Sequence, residues 1–135
     1  MENTINYNCV MVVDDSLIDR IMAQKIMRKT QFSNEVLTIE SAREALDYLK
    51  SHLNFPEKLP ELIFLDINMP EMNGFDFLNE YNDLPEVIKR KCIIVMLSSS
   101  LHPEDHQRAL TSPFVCEFVS KPLNAAKLKE LLVLH

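Results

Sequence analysis

Three carboxylates stand where apolar runs stop. Asp14 and Asp15 follow Cys9-Val10-Met11-Val12-Val13, and Asp66 follows Leu62-Ile63-Phe64-Leu65. Ser98 closes the run that begins at Cys92, and Lys121 follows Cys116 to Ser120. Short, nearly unbroken apolar runs read as strands buried on both faces. In an open parallel sheet the carboxyl ends of the strands face one crevice, and ligands bind there. Three acids, a hydroxyl and an ammonium delivered to one rim form a donor set for a divalent cation and a phosphoryl group.

The segments between those runs must carry the strands back across the sheet. Ser16 to about Lys29 places Leu17, Ile18, Ile21, Met22 and Ile26 at helical spacing, with Asp19, Arg20, Gln24 and Lys25 between them. Asn34 to Ile39 is a short strand. Ser41-Ala-Arg-Glu44 has the form of a capping box, in which the hydroxyl serves the N–H three residues on and Glu44 reaches back. Ala42, Ala45, Leu46, Leu49 and Leu53 extend that helix. Pro56 and Pro60 bracket a loop. Gly74 is the single glycine and marks a place where backbone geometry excludes a side chain, either a positive φ or a tight helix entry. Phe75 to Leu84 reads as a helix with Phe75, Leu78 and Tyr81 inward, and Pro85-Glu86 as a short turn. Pro103 to about Thr111 is a helix with a thin apolar stripe, and Asn124 to Leu134 is the last, opened by an asparagine cap. The alternation is five strands and five helices. It implies right-handed crossovers and an α/β, doubly wound parallel sheet.

Bulk properties narrow the classes. A chain of 135 residues reads as a single domain over 1–135, with its core at about 8–134. With 20 acidic against 14 basic side chains the net charge is -6, which disfavours nucleic acid as a partner because phosphate neutralisation needs a basic face. No run approaches a membrane span. The start, MENTINYN, lacks the features of a signal peptide, so the expected location is the cytoplasm. Cys9, Cys92 and Cys116 are odd in number and unpaired in spacing, and read as small buried apolar residues. His102 and His106 are four apart, but Pro103 puts His102 at or outside the helix cap, which argues against a metal pair.

Four fragments in order, V-V-D-D-S at 12–16, D-I-N-M-P-E-M-N-G at 66–74, M-L-S-S-S at 96–100 and F-V-S-K-P at 118–122, resemble the signature of response regulator receiver domains. The likeness is to the chemotaxis-regulator type and covers about residues 8 to 134. It implies a flavodoxin-like (βα)5 fold with strand order 2-1-3-4-5. It also implies roles: Asp66 as phosphoacceptor, Asp14 and Asp15 as the acids that hold Mg²⁺ with Asp66, and Asn68 as a metal ligand through its backbone carbonyl. Ser98 would bond a phosphoryl oxygen, Lys121 would pair with the phosphoryl group, and Lys121-Pro122 would be a cis peptide. Ser98 and Phe118 would form the switch, changing the surface of the fourth predicted helix, fifth strand and fifth helix. Asn68 and Ser100 would tune dephosphorylation. Phe118 lacks the hydroxyl of the tyrosine often found at its position, so coupling through such a hydroxyl is not expected.

The residue types suit that chemistry. Asp14, Asp15 and Asp66 in one place would raise one another's pKa, and an octahedral, oxygen-seeking Mg²⁺ relieves that repulsion. The expected function is a phosphorylatable receiver served by a histidine kinase or histidine phosphotransfer protein. It would act on a downstream protein, as a monomer or a phosphorylation-linked homodimer, and promote only its own phosphorylation and dephosphorylation. Two other readings stay open: a Mg²⁺-dependent aspartyl-phosphate phosphatase, which would want an acid where Asn68 stands, and an unphosphorylated interaction scaffold.

Overall fold

A computed structural model describes residues 7–99 and 102–132. Five strands, β1 (Tyr7–Val13), β2 (Ser33–Ile39), β3 (Leu62–Asp66), β4 (Ile93–Ser98) and β5 (Val115–Ser120), form one sheet in the order β2-β1-β3-β4-β5. Every neighbouring pair is parallel. The crossovers contain α1 (Leu17–Lys29), α2 (Ala42–Ser51), α3 (Gly74–Tyr81), α4 (Glu86–Lys91) and α5 (Pro103–Leu110), and α6 (Ala125–Leu131) follows β5. One side of the sheet packs Met11, Val13, Ile63, Leu65, Ile94 and Met96 against α2, α3, α4 and α5. The other packs Val10, Val12, Phe64, Val95 and Leu97 against Ala23 and Met27 of α1 and Leu128 and Leu131 of α6. β3 is buried throughout, as the centre of a doubly covered sheet must be. This is the α/β flavodoxin-like architecture expected.

Several local expectations change. Among the described residues Glu86–Lys91 forms a sixth α-helix, where the sequence predicts a short turn at Pro85-Glu86. It buries only Ile88, pairs Glu86 with Lys89 (3.3 Å) and ends in Lys89, Arg90 and Lys91, which complement the helix dipole, so it has no apolar stripe to read. At Ser41 half of the capping box forms. The Glu44 N–H donates to Ser41 Oγ (3.1 Å), but Glu44 Oε2 accepts from that same hydroxyl (3.2 Å) and not from the backbone. A complete box stands at Asn73, which accepts from the Asp76 N–H (2.9 Å) while Asp76 accepts from the Asn73 N–H (3.0 Å). Phe77 is buried along with Phe75, Leu78 and Tyr81, and the helix ends at Tyr81 rather than Leu84. Cys9 and Cys92 are buried, and burial pushes their thiols up to about 11 and about 12. Cys116 is exposed, because β5 is an edge strand with a register shift opposite Ile94 and Val95. The expected continuation of the last helix through Leu134 falls partly outside the described residues.

The α1 stripe is the largest departure. Leu17 and Ile18 are 61% and 68% exposed, Ile21 and Met22 are exposed as well, and the buried residues are Ala23 and Met27. Helical spacing identified the helix but not the face turned to the core.

Candidate functional site

Strand register gathers the polar rim. Val13 of β1 lies opposite Leu65 of β3, so Asp14 and Asp66 leave the sheet side by side. Asp66 lies opposite Leu97 of β4, and Ser98 lies opposite Ser120 of β5, so Ser98 and Lys121 follow on the same edge. Asp14, Asp15 and Asp66 each present a carboxylate oxygen within 4.8 Å of the others. Lys121 reaches into the group: its Nζ is 2.7 Å from Asp14 Oδ2, 2.9 Å from Asp19 Oδ2 and 3.5 Å from Asp66 Oδ2.

Backbone contacts hold these side chains. The Ser16 N–H donates to Asp14 Oδ1 (2.9 Å), Arg20 Nη1 donates to the Asp14 carbonyl (2.6 Å), and the Asn68 N–H donates to Asp66 Oδ1 (3.3 Å). The Ser98 carbonyl accepts from the Lys121 N–H (2.8 Å), which fixes the β5 exit to the β4 end, and the Lys121–Pro122 bond is cis. Gly74 is a tight helix entry. A Cβ there would stand 2.9 Å from the Asp66 carbonyl oxygen and 2.8 Å from Met96 Cε, while no positive φ is involved. The left-handed turn in that loop falls on Glu71, at φ 67°.

Charge and burial oppose one another here. The Asp66 side chain is 6% exposed, and burial lifts its pKa from 3.8 to about 6. Lys121 counters part of that rise, and Asp14 adds to it. Burial pulls the Lys121 ammonium down, but hydrogen bonds to Asp14 and Asp19 and the charge of Asp66 outweigh it and hold the amine above the usual lysine range. The donor set is all oxygen and strongly anionic, which suits a hard divalent cation and not a softer N- or S-seeking metal.

Ser98 is fully buried beside this group. Phe118 is half-buried and stacks on His106 of α5, with ring centroids 4.8 Å apart and planes at 10°. Asn68 is exposed at the rim, and Ser100 lies outside the described residues. Sequence reading missed Asp19 and Arg20 as members of the site, having placed both among the polar residues between apolar ones. The available signal was Ser16, whose hydroxyl accepts from the Asp19 N–H (3.2 Å) as an N-cap. That cap puts Asp19 in the first turn, where the helix still faces the rim.

Comparison with known proteins agrees with this arrangement. The model of the response regulator receiver domain family matches residues 10–133. Two-component response regulator ORR3 of Oryza sativa is 30% identical over 122 residues, covering 90% of this chain and 86% of that protein. A two-component response regulator from Cytophaga hutchinsonii superposes with a TM-score of 0.86 at 33% identity, covering 93% of each chain. Chemotaxis protein CheY4 of Vibrio cholerae gives 0.73 at 28% identity, covering 93% of this chain and 95% of that one. The chain belongs to the response regulator receiver domain family. It is a receiver domain of two-component signalling, with an acidic cluster of the kind that holds a divalent metal. No helix among the described residues is long and apolar enough to cross a membrane.

Proposed function

We propose that Asp66 accepts a phosphoryl group from a histidine kinase or histidine phosphotransfer protein, and that the phosphorylated form controls a downstream protein. The observation that carries this reading is the Lys121 ammonium, seated against both Asp14 and Asp66 at the mouth of a three-carboxylate cluster. Asp14, Asp15 and Asp66, with the Asn68 carbonyl, would hold Mg²⁺. That ion would neutralise the acids and stabilise charge on the transferring oxygens.

The protein's own groups account for the rest. An Asp66 carboxylate oxygen forms the new bond to phosphorus as the bond to the donor nitrogen breaks, and that nitrogen keeps the electron pair. Lys121 offers N–H donors to the incoming dianion, and Ser98 supplies a hydroxyl beside it. The exposed residues Leu17, Ile18, Ile21 and Met22 begin two residues beyond Asp15 and form an apolar rim suited to docking a protein phosphodonor. For output, Ser98 moves toward the phosphoryl group, and Phe118 leaves His106 and turns inward. The surface of α5, β5 and α6 changes as a result. A phosphate can act this way only if it interacts differently with the two arrangements.

The test is intact mass after incubation with acetyl phosphate, with and without Mg²⁺, and a peptide map of the adduct. One added phosphoryl group on Asp66, dependent on Mg²⁺, is expected. Asp66→Asn should abolish labelling, and Lys121→Ala should leave some labelling but weaken the response. Undiminished labelling of the Asn variant would overturn the assignment.

A further inference from the structure

Lys121 is shared. Its ammonium sits 2.7 Å from Asp14 and 3.5 Å from Asp66, two of the three acids that converge as a cation site. A divalent cation and this ammonium therefore compete for the same carboxylates. Asp14 is already engaged on both oxygens, by the Ser16 N–H at Oδ1 and by Lys121 at Oδ2. An ammonium only 13% exposed cannot lose its partners without a large desolvation cost.

Asp19 resolves that conflict. Its Oδ2 is 2.9 Å from Lys121 Nζ, yet it stands outside the converging triad and is 40% exposed. The pair borders, with Asp14, a small cleft whose remaining walls are apolar, including Met22, Ala23, Leu97 and Leu123. That lining limits water on one side and strengthens the contact relative to an open surface pair. We propose that Asp19 is a positioning residue: it retains Lys121 when a divalent cation takes Asp14, and so lets both occupy the site together. This rests on the cation-binding reading above.

A carboxylate in the first turn of α1 also favours the helix dipole. That contribution to stability does not depend on Lys121, and neither does the general attraction of a nearby negative charge for a cation. A double-mutant cycle separates the roles. Mg²⁺ affinity is measured by isothermal titration calorimetry for wild type, Asp19→Asn, Lys121→Met and the double variant, without any phosphodonor. Asp19→Asn is expected to weaken Mg²⁺ binding about 5- to 10-fold in the wild-type background, because Lys121 is then left with partners the cation also needs. With Lys121 replaced, the same change should matter less than about 2-fold. Should Lys121→Met not fold, Lys121→Gln provides the second background.

Equal losses in both backgrounds would show that Asp19 acts only through its field, and would overturn the proposal. So would an Asp19→Asn variant that binds Mg²⁺ like wild type. Absence of Mg²⁺ binding by the wild-type protein would overturn the cation reading itself and this inference with it.

Discussion

Asp66 should make the metal-free protein less stable than it could be, and Asp66→Asn should reveal by how much. Burial pushes the Asp66 carboxyl up to about 6 from the usual 3.8, although Lys121 counters part of the rise, so its ionisation in the folded state costs about 3 kcal/mol. The sign is opposite to that of an ordinary salt-bridged aspartate. Well below about pH 4 the folded and unfolded forms both carry the neutral acid, and no penalty exists. As pH rises from about 4 to about 6 the unfolded chain ionises first and stability falls; above that range the whole cost is present. Asparagine keeps the neutral shape and can still accept from the Asn68 N–H, while Lys121 retains Asp14 and Asp19. In EDTA at pH 7 the variant should therefore be about 3 kcal/mol more stable by urea denaturation, or roughly 10 °C by thermal melting, with the gap closing toward pH 4. Mg²⁺ should also narrow the gap by stabilising wild type, by about 2.7 kcal/mol at a hundredfold excess over Kd. A variant no more stable than wild type at pH 7, or equally stabilised at both pH values, would refute this account of Asp66.

Other outcomes follow from particular contacts. Gly74→Ala should cost about 1–3 kcal/mol in urea denaturation and reduce acetyl phosphate labelling, because the new methyl meets the carbonyl of Asp66, the acceptor proposed above. Tyr81→Phe should be neutral or stabilising in the same measurement. Its buried hydroxyl has no well-formed hydrogen bond and only the Cys92 thiol, a weak partner, beside it, while its ring stacks on Phe77 and meets Phe114 edge-on. Leu17→Asp with Ile18→Asp should slow phosphoryl transfer from a protein donor and leave labelling by acetyl phosphate unchanged, since both side chains are exposed.

Much of the site is legible in the sequence, for a definite reason. A strand buried on both faces must be apolar along its length, so the first charged residue after it marks where the strand leaves the sheet. Asp14 and Asp66 are each such a residue, Lys121 follows the edge strand β5, which itself carries Glu117, and parallel pairing requires those exits to share one edge. The polar rim follows from that, helical spacing supplied the crossovers, and the family signature supplied the strand order. Helix faces were less legible. The α1 spacing fits a buried stripe as well as a docking rim, and only packing showed that the small Ala23 and Met27 face the sheet. The short α4 has no stripe to read, and Cys116 is exposed because its strand lies at an edge. Asp19 is the clearest instance. Its distance along the chain from Lys121 is 102 residues, and nothing in local sequence pairs them. Packing of α1 beside β1, β2 and α6, with the Lys121 side chain reaching in from the end of β5, brings them to 2.9 Å, because long-range ion pairs depend on where elements pack rather than on what each element is.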